Sequence, residues 1–275
     1  MEERTRLGRG LEEISQLYLS ERPREAAPKE KKPDPPVRSR QVVRVLSPGP
    51  GAVKAAFVAN IALELARSRC RVSVWDIPSG ERAGVRDMLG ALVRPGLTPD
   101  AGAVNLYGLP DILVHYAEEK PKEALEELIE EGSFAESDRY LLISAPDSVE
   151  SLLRITVPSD AILLSAVDEA SLLKCYAWIK LLLERDPLCR IHIAFCQPVS
   201  QDKARDLFTR LAGFVKERHQ GSLSFLGCLI QDPLFQRSMD EQTPLVMYRD
   251  SSVAKDSLTA VCAAFLNSRP ASPER

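Results

Sequence analysis

Six short apolar runs, at 42–46, 72–75, 140–143, 161–166, 191–195 and 223–229, recur through residues 41–268 with helix-length stretches between them. No other feature narrows the fold as far. Each run is apolar at consecutive rather than alternate positions, as in strands whose two faces are both covered. The stretches 54–68, 121–132, 168–185, 201–219 and 253–267 have the composition and length of helices. This alternation predicts right-handed βαβ units and a doubly wound, mostly parallel α/β sheet flanked by helices. In such sheets ligands bind beyond the carboxyl ends of the strands, where the first strand turns into its helix.

Residues 1–40 stand apart. Leu7, Leu11, Ile14 and Tyr18 follow i, i+4, i+7, i+11 spacing and share one helical face, with Leu17 at its edge. A helix over 1–20 is marginal in isolation, so it must dock on something. Residues 21–40 hold five prolines and dense mixed charge, which reads as a disordered linker. The expected organisation is therefore a helix at 1–20, a linker at 21–40, one domain at 41–268 and a tail at 269–275.

Composition limits what the domain does. Of the 275 residues, 44% are hydrophobic, enough for a proper core, and the formal net charge of −3 gives no electrostatic reason to expect nucleic acid. The six cysteines form no CxxC pair and no zinc-spaced cluster, and Cys70, Cys196 and Cys228 sit in or beside apolar runs as small hydrophobes. The three histidines are far apart. No signal-peptide pattern opens the chain, and no apolar run approaches the roughly 18 residues a membrane span needs. A cytoplasmic protein is expected.

The segment VVRVLSPGPGAVKAAFVANIALELARSRCRVSVWD combines a strand, a Gly/Pro loop, a lysine, an Ala-rich helix and a second strand ending in Asp. That is the layout of a phosphate-binding loop unit. SPGPGAVKAAFVANIALELA resembles the deviant phosphate loop and following helix of the MinD/ParA family of P-loop ATPases, S-G-K-G-G-V-G-K-T-T and A-N-L-A-x-x-L-A, without a gap. Ser47, Gly51, Lys54 and Asn60 match. Arg71–Asp76 is similar to the family's second strand and first switch, and RYLLISAPDS to its second-switch strand. PSDAILLSAVDEASLLKCYAWIKLL and FLGCLIQDPLFQRSMDEQTPLVMYRDSSVAKD resemble later family segments. The resemblance spans most of 41–268 and is nearest to the branch of MinD and the flagellar-number regulators.

The departures fall on the chemistry. Pro48 and Pro50 each replace a loop glycine, removing an N–H and fixing φ. Val53 replaces the glycine before the lysine, and Ala55 the threonine whose hydroxyl holds Mg²⁺. Gly49 stands where the family's signature lysine reaches across an ATP-bridged dimer. Asp76 matches the first Asp of the switch motif, but Pro78 replaces the second and Ala83 an Asn. Ser144 replaces the second-switch Asp, and Ser148 its Gly. Gln197 lies about where the family places the Asn that reads adenine. Ser47, Gly49, Gly51, Lys54 and Asp76 are thus remnants of a nucleotide site, with Lys54 reduced to an ordinary first-turn lysine in water.

Phosphoryl transfer needs a metal, backbone donors and a positioned water together. The expected function is accordingly a non-catalytic MinD/ParA-like scaffold or spatial regulator, with no catalytic residue, no metal and at most weak ATP or ADP binding. Its expected partner is a protein, captured through Leu11, Ile14, Leu17 and Tyr18, with an active family member among the candidates. Such a partner would bring a cytoplasmic protein to the pole or envelope of a bacterial cell. Two other readings stay open: an atypical ATPase, and a module for a different ligand in the same crevice. The C-terminal helix VAKDSLTAVCAAFLNS has an apolar face suited to packing on the sheet, so no direct membrane binding is expected.

Overall fold

A computed structural model describes residues 41–47, 51–77, 84–95, 101–104, 112–116, 140–144, 160–196, 200–219 and 221–268. All belong to a compact unit, Ser39–Arg275. The second unit, Met1–Arg38, holds the expected helix 1–20 with Leu11, Ile14, Leu17 and Tyr18. That helix, the linker 21–40, the expected helix 121–132 and the tail 269–275 lie outside the described residues.

The strands are β1 (Gln41–Leu46), β2 (Val72–Asp76), β3 (Val93–Pro95), β4 (Ala101–Val104), β5 (Ile112–Tyr116), β6 (Tyr140–Ser144), β7 (Asp160–Ser165), β8 (Ile191–Cys196) and β9 (Leu223–Leu229). They form one sheet in the order β3-β4-β5-β2-β6-β1-β7-β8-β9. Every pair from β5 through β9 is parallel, while β4 pairs antiparallel with both β3 and β5. The helices are α1 (Gly51–Arg67), α2 (Val85–Leu89), α3 (Glu169–Arg185), α4 (Gln201–His219), α5 (Pro233–Asp240) and α6 (Val253–Asn267). Each of the six apolar runs is a strand, and the sheet is the doubly wound, mostly parallel α/β arrangement expected from them.

Period-two alternation sorts the strand side chains between two cores. Val43, Val45, Ile162, Leu164 and Ala194 join α1 and α6 on one face; Leu46, Ala161, Leu163, Ile191, Ile193 and Phe195 join α3 and α4 on the other. That is why the runs read as continuously apolar. The C-terminal helix α6 buries Leu258, Val261, Cys262 and Phe265, in keeping with packing on the sheet. All six cysteines are free, and five of them are buried.

α1 is the most enclosed element. Every residue from Lys54 to Ala66 is buried, so the helix is covered on its outer side as well as by the sheet. α2, α5, α6 and the 3₁₀ turn Leu245–Met247 supply the cover. Asn60 fixes that layer: its amide Nδ2 donates to the Ala56 carbonyl at 2.7 Å, and its Oδ1 accepts from the Val246 N–H at 3.0 Å. Truncating a side chain as enclosed as Phe57, 1% exposed, costs about 3–5 kcal/mol in sites of this kind. The helix closes with a Schellman turn. Cys70 N–H donates to Leu65 O at 3.0 Å and Arg69 N–H to Ala66 O at 2.8 Å, with Arg69 at φ +62°.

At the amino ends of β7 and β8, Arg190 grips the buried Asp160 with two hydrogen bonds, at 3.0 and 2.6 Å, and the Gln41 amide donates to the same carboxylate. This end of the sheet is held by charge-assisted contacts, which leaves the carboxyl ends for the crevice.

Candidate functional site

Parallel register brings the site residues to one level. Asp76 at the end of β2 lies beside Ser144 at the end of β6, and Ser144 beside Val45 of β1. Ser47 follows β1 directly, and Gly51 opens α1 one loop later. Ser47, Lys54, Asp76 and Ser144 are all buried, each 4–5% exposed. Four polar side chains thus gather where three adjacent parallel strands end and α1 begins, the place a ligand occupies in sheets of this type.

The sequence places Lys54 in water as an ordinary first-turn lysine; the structure corrects this. Lys54, in the first turn of α1, is only 4% exposed. Gly51 is the first residue of α1. Gly49, with Pro48 and Pro50, lies outside the described residues, as do Pro78, Ala83, Ser148 and Gln197.

Asp76 has work that sequence reasoning missed. Its Oδ2 accepts the Arg86 N–H at 3.1 Å in the first turn of α2, and the Val85 N–H also bonds to it. The carboxylate therefore caps α2. Gly84 makes the approach possible: a Cβ there would sit 2.4 Å from Asp76 Oδ2, so any side chain would push the carboxylate away. Asp87 completes the turn by accepting the Gly84 N–H at 2.8 Å. The spacing Gly84-Val-Arg-Asp87, with an acid three residues into the turn, was the available signal. Ser144 is also engaged through its backbone, its carbonyl accepting the Ile77 N–H at 2.9 Å.

Position 55 presents a methyl group buried in the apolar core, and β6 ends in a hydroxyl instead of a carboxylate. Among the described residues here, the Asp76 carboxylate accepts backbone N–H groups of α2. Among the described residues no group of three or more His, Cys, Asp or Glu is placed to hold a metal ion.

Burial raises the Asp76 carboxyl above its ordinary 3.8, against the Arg86 and Val85 N–H groups and the Lys54 charge, which pull it down. The folded chain therefore keeps this proton to higher pH than the unfolded chain does. The stabilisation is present below the unfolded value and lost as pH rises through the folded one. Asp76→Asn, permanently neutral, should be more stable than wild type in urea at pH 7, with the difference shrinking as pH falls toward 3.8. A variant less stable at pH 7 would contradict the assignment of burial as the dominant influence on Asp76.

No protein-family model matches the sequence, and no curated protein matches it. Solved structures do. MinD from Aquifex aeolicus superimposes with a TM-score of 0.63 at 15% identity, over 84% of this chain and 98% of that one. MinD from Pyrococcus furiosus gives 0.62 at 15%, over 83% and 99%. A ParA family ATPase from Chlorobium tepidum gives 0.59 at 15%, over 82% and 98%. Together with the parallel sheet, these likenesses establish that the chain has the MinD/ParA fold.

Proposed function

We propose that the chain is a non-catalytic relative of the MinD and ParA ATPases, a scaffold or spatial regulator that docks protein partners. The observation that carries this is the buried methyl of Ala55. It packs into the apolar core where the family pattern places a magnesium-binding hydroxyl, so no small rearrangement restores an oxygen ligand there. Ser144 and the capping role of Asp76 support the same reading from the two switch strands. The resemblance to the family and the shared fold supply the context of spatial regulation. One solved likeness is a MinC:MinD complex, in which a protein of this fold binds a protein partner.

In this proposal Leu11, Ile14, Leu17 and Tyr18 form the apolar face of a partner-binding helix, at spacing suited to a groove on another protein. The linker 21–40 lets that helix search a wide volume while keeping the domain tethered. Among the described residues no helix is long and apolar enough to cross a membrane, so any envelope or pole localisation is assigned to the partner. Retention of Lys54 favours, as a second reading, weak metal-free nucleotide binding without turnover.

The purified chain should release phosphate from ATP at the background rate with or without Mg²⁺, because phosphoryl transfer requires metal and positioned water together. Magnesium-dependent turnover abolished by Lys54→Ala would contradict the proposal. For the helix, Ile14→Asp with Tyr18→Asp should reduce partner capture at least about tenfold and leave the melting temperature unchanged, as expected when two apolar anchors are lost from an interface. A melting temperature lowered by many degrees would assign the helix to the domain's own core instead.

A further inference from the structure

We infer that the outer surface shared by α3 and α4 docks an acidic amphipathic helix of a protein partner. The inference goes beyond the scaffold reading and holds whether or not ATP is turned over. It starts from Gly213 in the interior of α4. Glycine weakens a helix interior relative to alanine, so it stands there for a reason of space or close approach. Among the described residues no packing supplies that reason: a Cβ built on Gly213 meets nothing within 4 Å. Gly221 is the contrast, since a Cβ there would lie 2.4 Å from Leu183 Cδ1. Gly213 instead leaves a notch in an exposed face, where the backbone of a second helix can come close.

The side chains around the notch form an anchor site. Phe214, 42% exposed, is the one aromatic among the exposed large hydrophobic side chains described. It meets Tyr176 of α3 edge to face, with ring centroids 5.1 Å apart, and the Arg218 guanidinium lies over its ring at 5.3 Å. Tyr176 is fixed in turn by a hydrogen bond of 2.9 Å between its hydroxyl and His219 Nε2. Leu173, 62% exposed, stands one turn before Tyr176 on α3. Aromatic and arginine side chains dominate binding energy at protein interfaces, and a guanidinium stacked on a ring keeps its donors for a carboxylate.

Charge selects the occupant. Residues 209–219 of α4 carry Arg210, Lys216 and Arg218 against Glu217 alone, all four exposed, whereas acids and bases balance over residues 201–208. Among the described residues none of these three cations has an ion-pair partner. Cations in the last turn also suit the helix dipole, but that accounts for neither Arg210 nor the exposed Phe214 nor Gly213. A second copy of the chain would bring like charges together. An anionic membrane would call for a free apolar helix face, and α4 turns its own, with Leu207, Phe208 and Leu211, onto the core.

Fluorescence anisotropy of the full chain with labelled synthetic peptides tests this. The probe is an amphipathic helix of Leu, Trp and Glu; its controls are the same peptide with Lys for Glu and a scrambled peptide of the probe's composition. Wild type should bind the probe at least about tenfold more tightly than either control, as expected where apolar anchors and complementary charge act together. Arg218→Glu and Gly213→Leu should each weaken the probe at least about fivefold and leave the melting temperature unchanged, since one reverses a surface charge and the other fills open space. Should Gly213→Leu fail to fold, Arg218→Glu decides the matter. No binding of the probe, equal binding of either control, or unchanged binding by a folded Arg218→Glu overturns the proposal. Binding to vesicles containing phosphatidylserine that Arg218→Glu abolishes, or a dimer that Phe214→Ser dissociates, also overturns it by assigning the face to another occupant.

Discussion

The burial of α1 on all sides is the constraint on which the rest of the structure depends. A helix packed only against a sheet would show a polar outer face; this one is covered from Lys54 to Ala66 by α2, α6 and the turn after α5. Its Ala-rich sequence lets those elements approach closely, and Asn60 spans from its own helix to Val246. Lys54 lies in the first turn of this buried helix and is enclosed with it. Interiors packed to this density respond to small volume changes. Ala55 is therefore part of a packing solution and not simply a missing hydroxyl.

At the carboxyl ends of β2, β6 and β1, polar groups serve the structure. Asp76 caps α2, the Ser144 carbonyl extends the β2–β6 ladder, and Lys54 is enclosed. The same economy appears in Asp232, whose two oxygens serve two helices. Oδ1 accepts the Phe235 N–H of α5 at 2.9 Å and Oδ2 the Ala254 N–H of α6 at 3.1 Å. Although burial raises the Asp232 carboxyl, these bonds and the Ser252 hydroxyl hold it below its ordinary value. A carboxylate in a family-like motif is here a capping group.

Most of the sheet was legible in the sequence because both faces of its central strands are buried, so consecutive apolar residues mark them. β3, β4 and β5 were not legible. β4 is Ala-Gly-Ala-Val and β3 is three residues ending in Pro95, a residue tolerated at a sheet edge but not a strand signal. α5 escaped because it is short, although Asp232 followed by Pro233 is a helix start, with an N-cap and a proline in the first turn. In the site, residue identities at 55, 76 and 144 were readable from the phosphate-loop pattern. The enclosure of Lys54 and the capping of α2 by Asp76 were not, the cap because Gly84 and the first turn of α2 lie apart from Asp76 in sequence. His192 was similarly silent: alone in an apolar strand, it is buried against Phe265 with its pKa lowered by burial to about 4.

In the proposed reading, this fold persists without a nucleotide-driven cycle. Proteins bridged by ATP change mass when it binds, and Gly49 offers no side chain to cross such an interface. Light scattering of the full chain with and without ATP and Mg²⁺ tests this directly. The same mass is expected under both conditions. A doubling on addition of ATP and Mg²⁺ would contradict it.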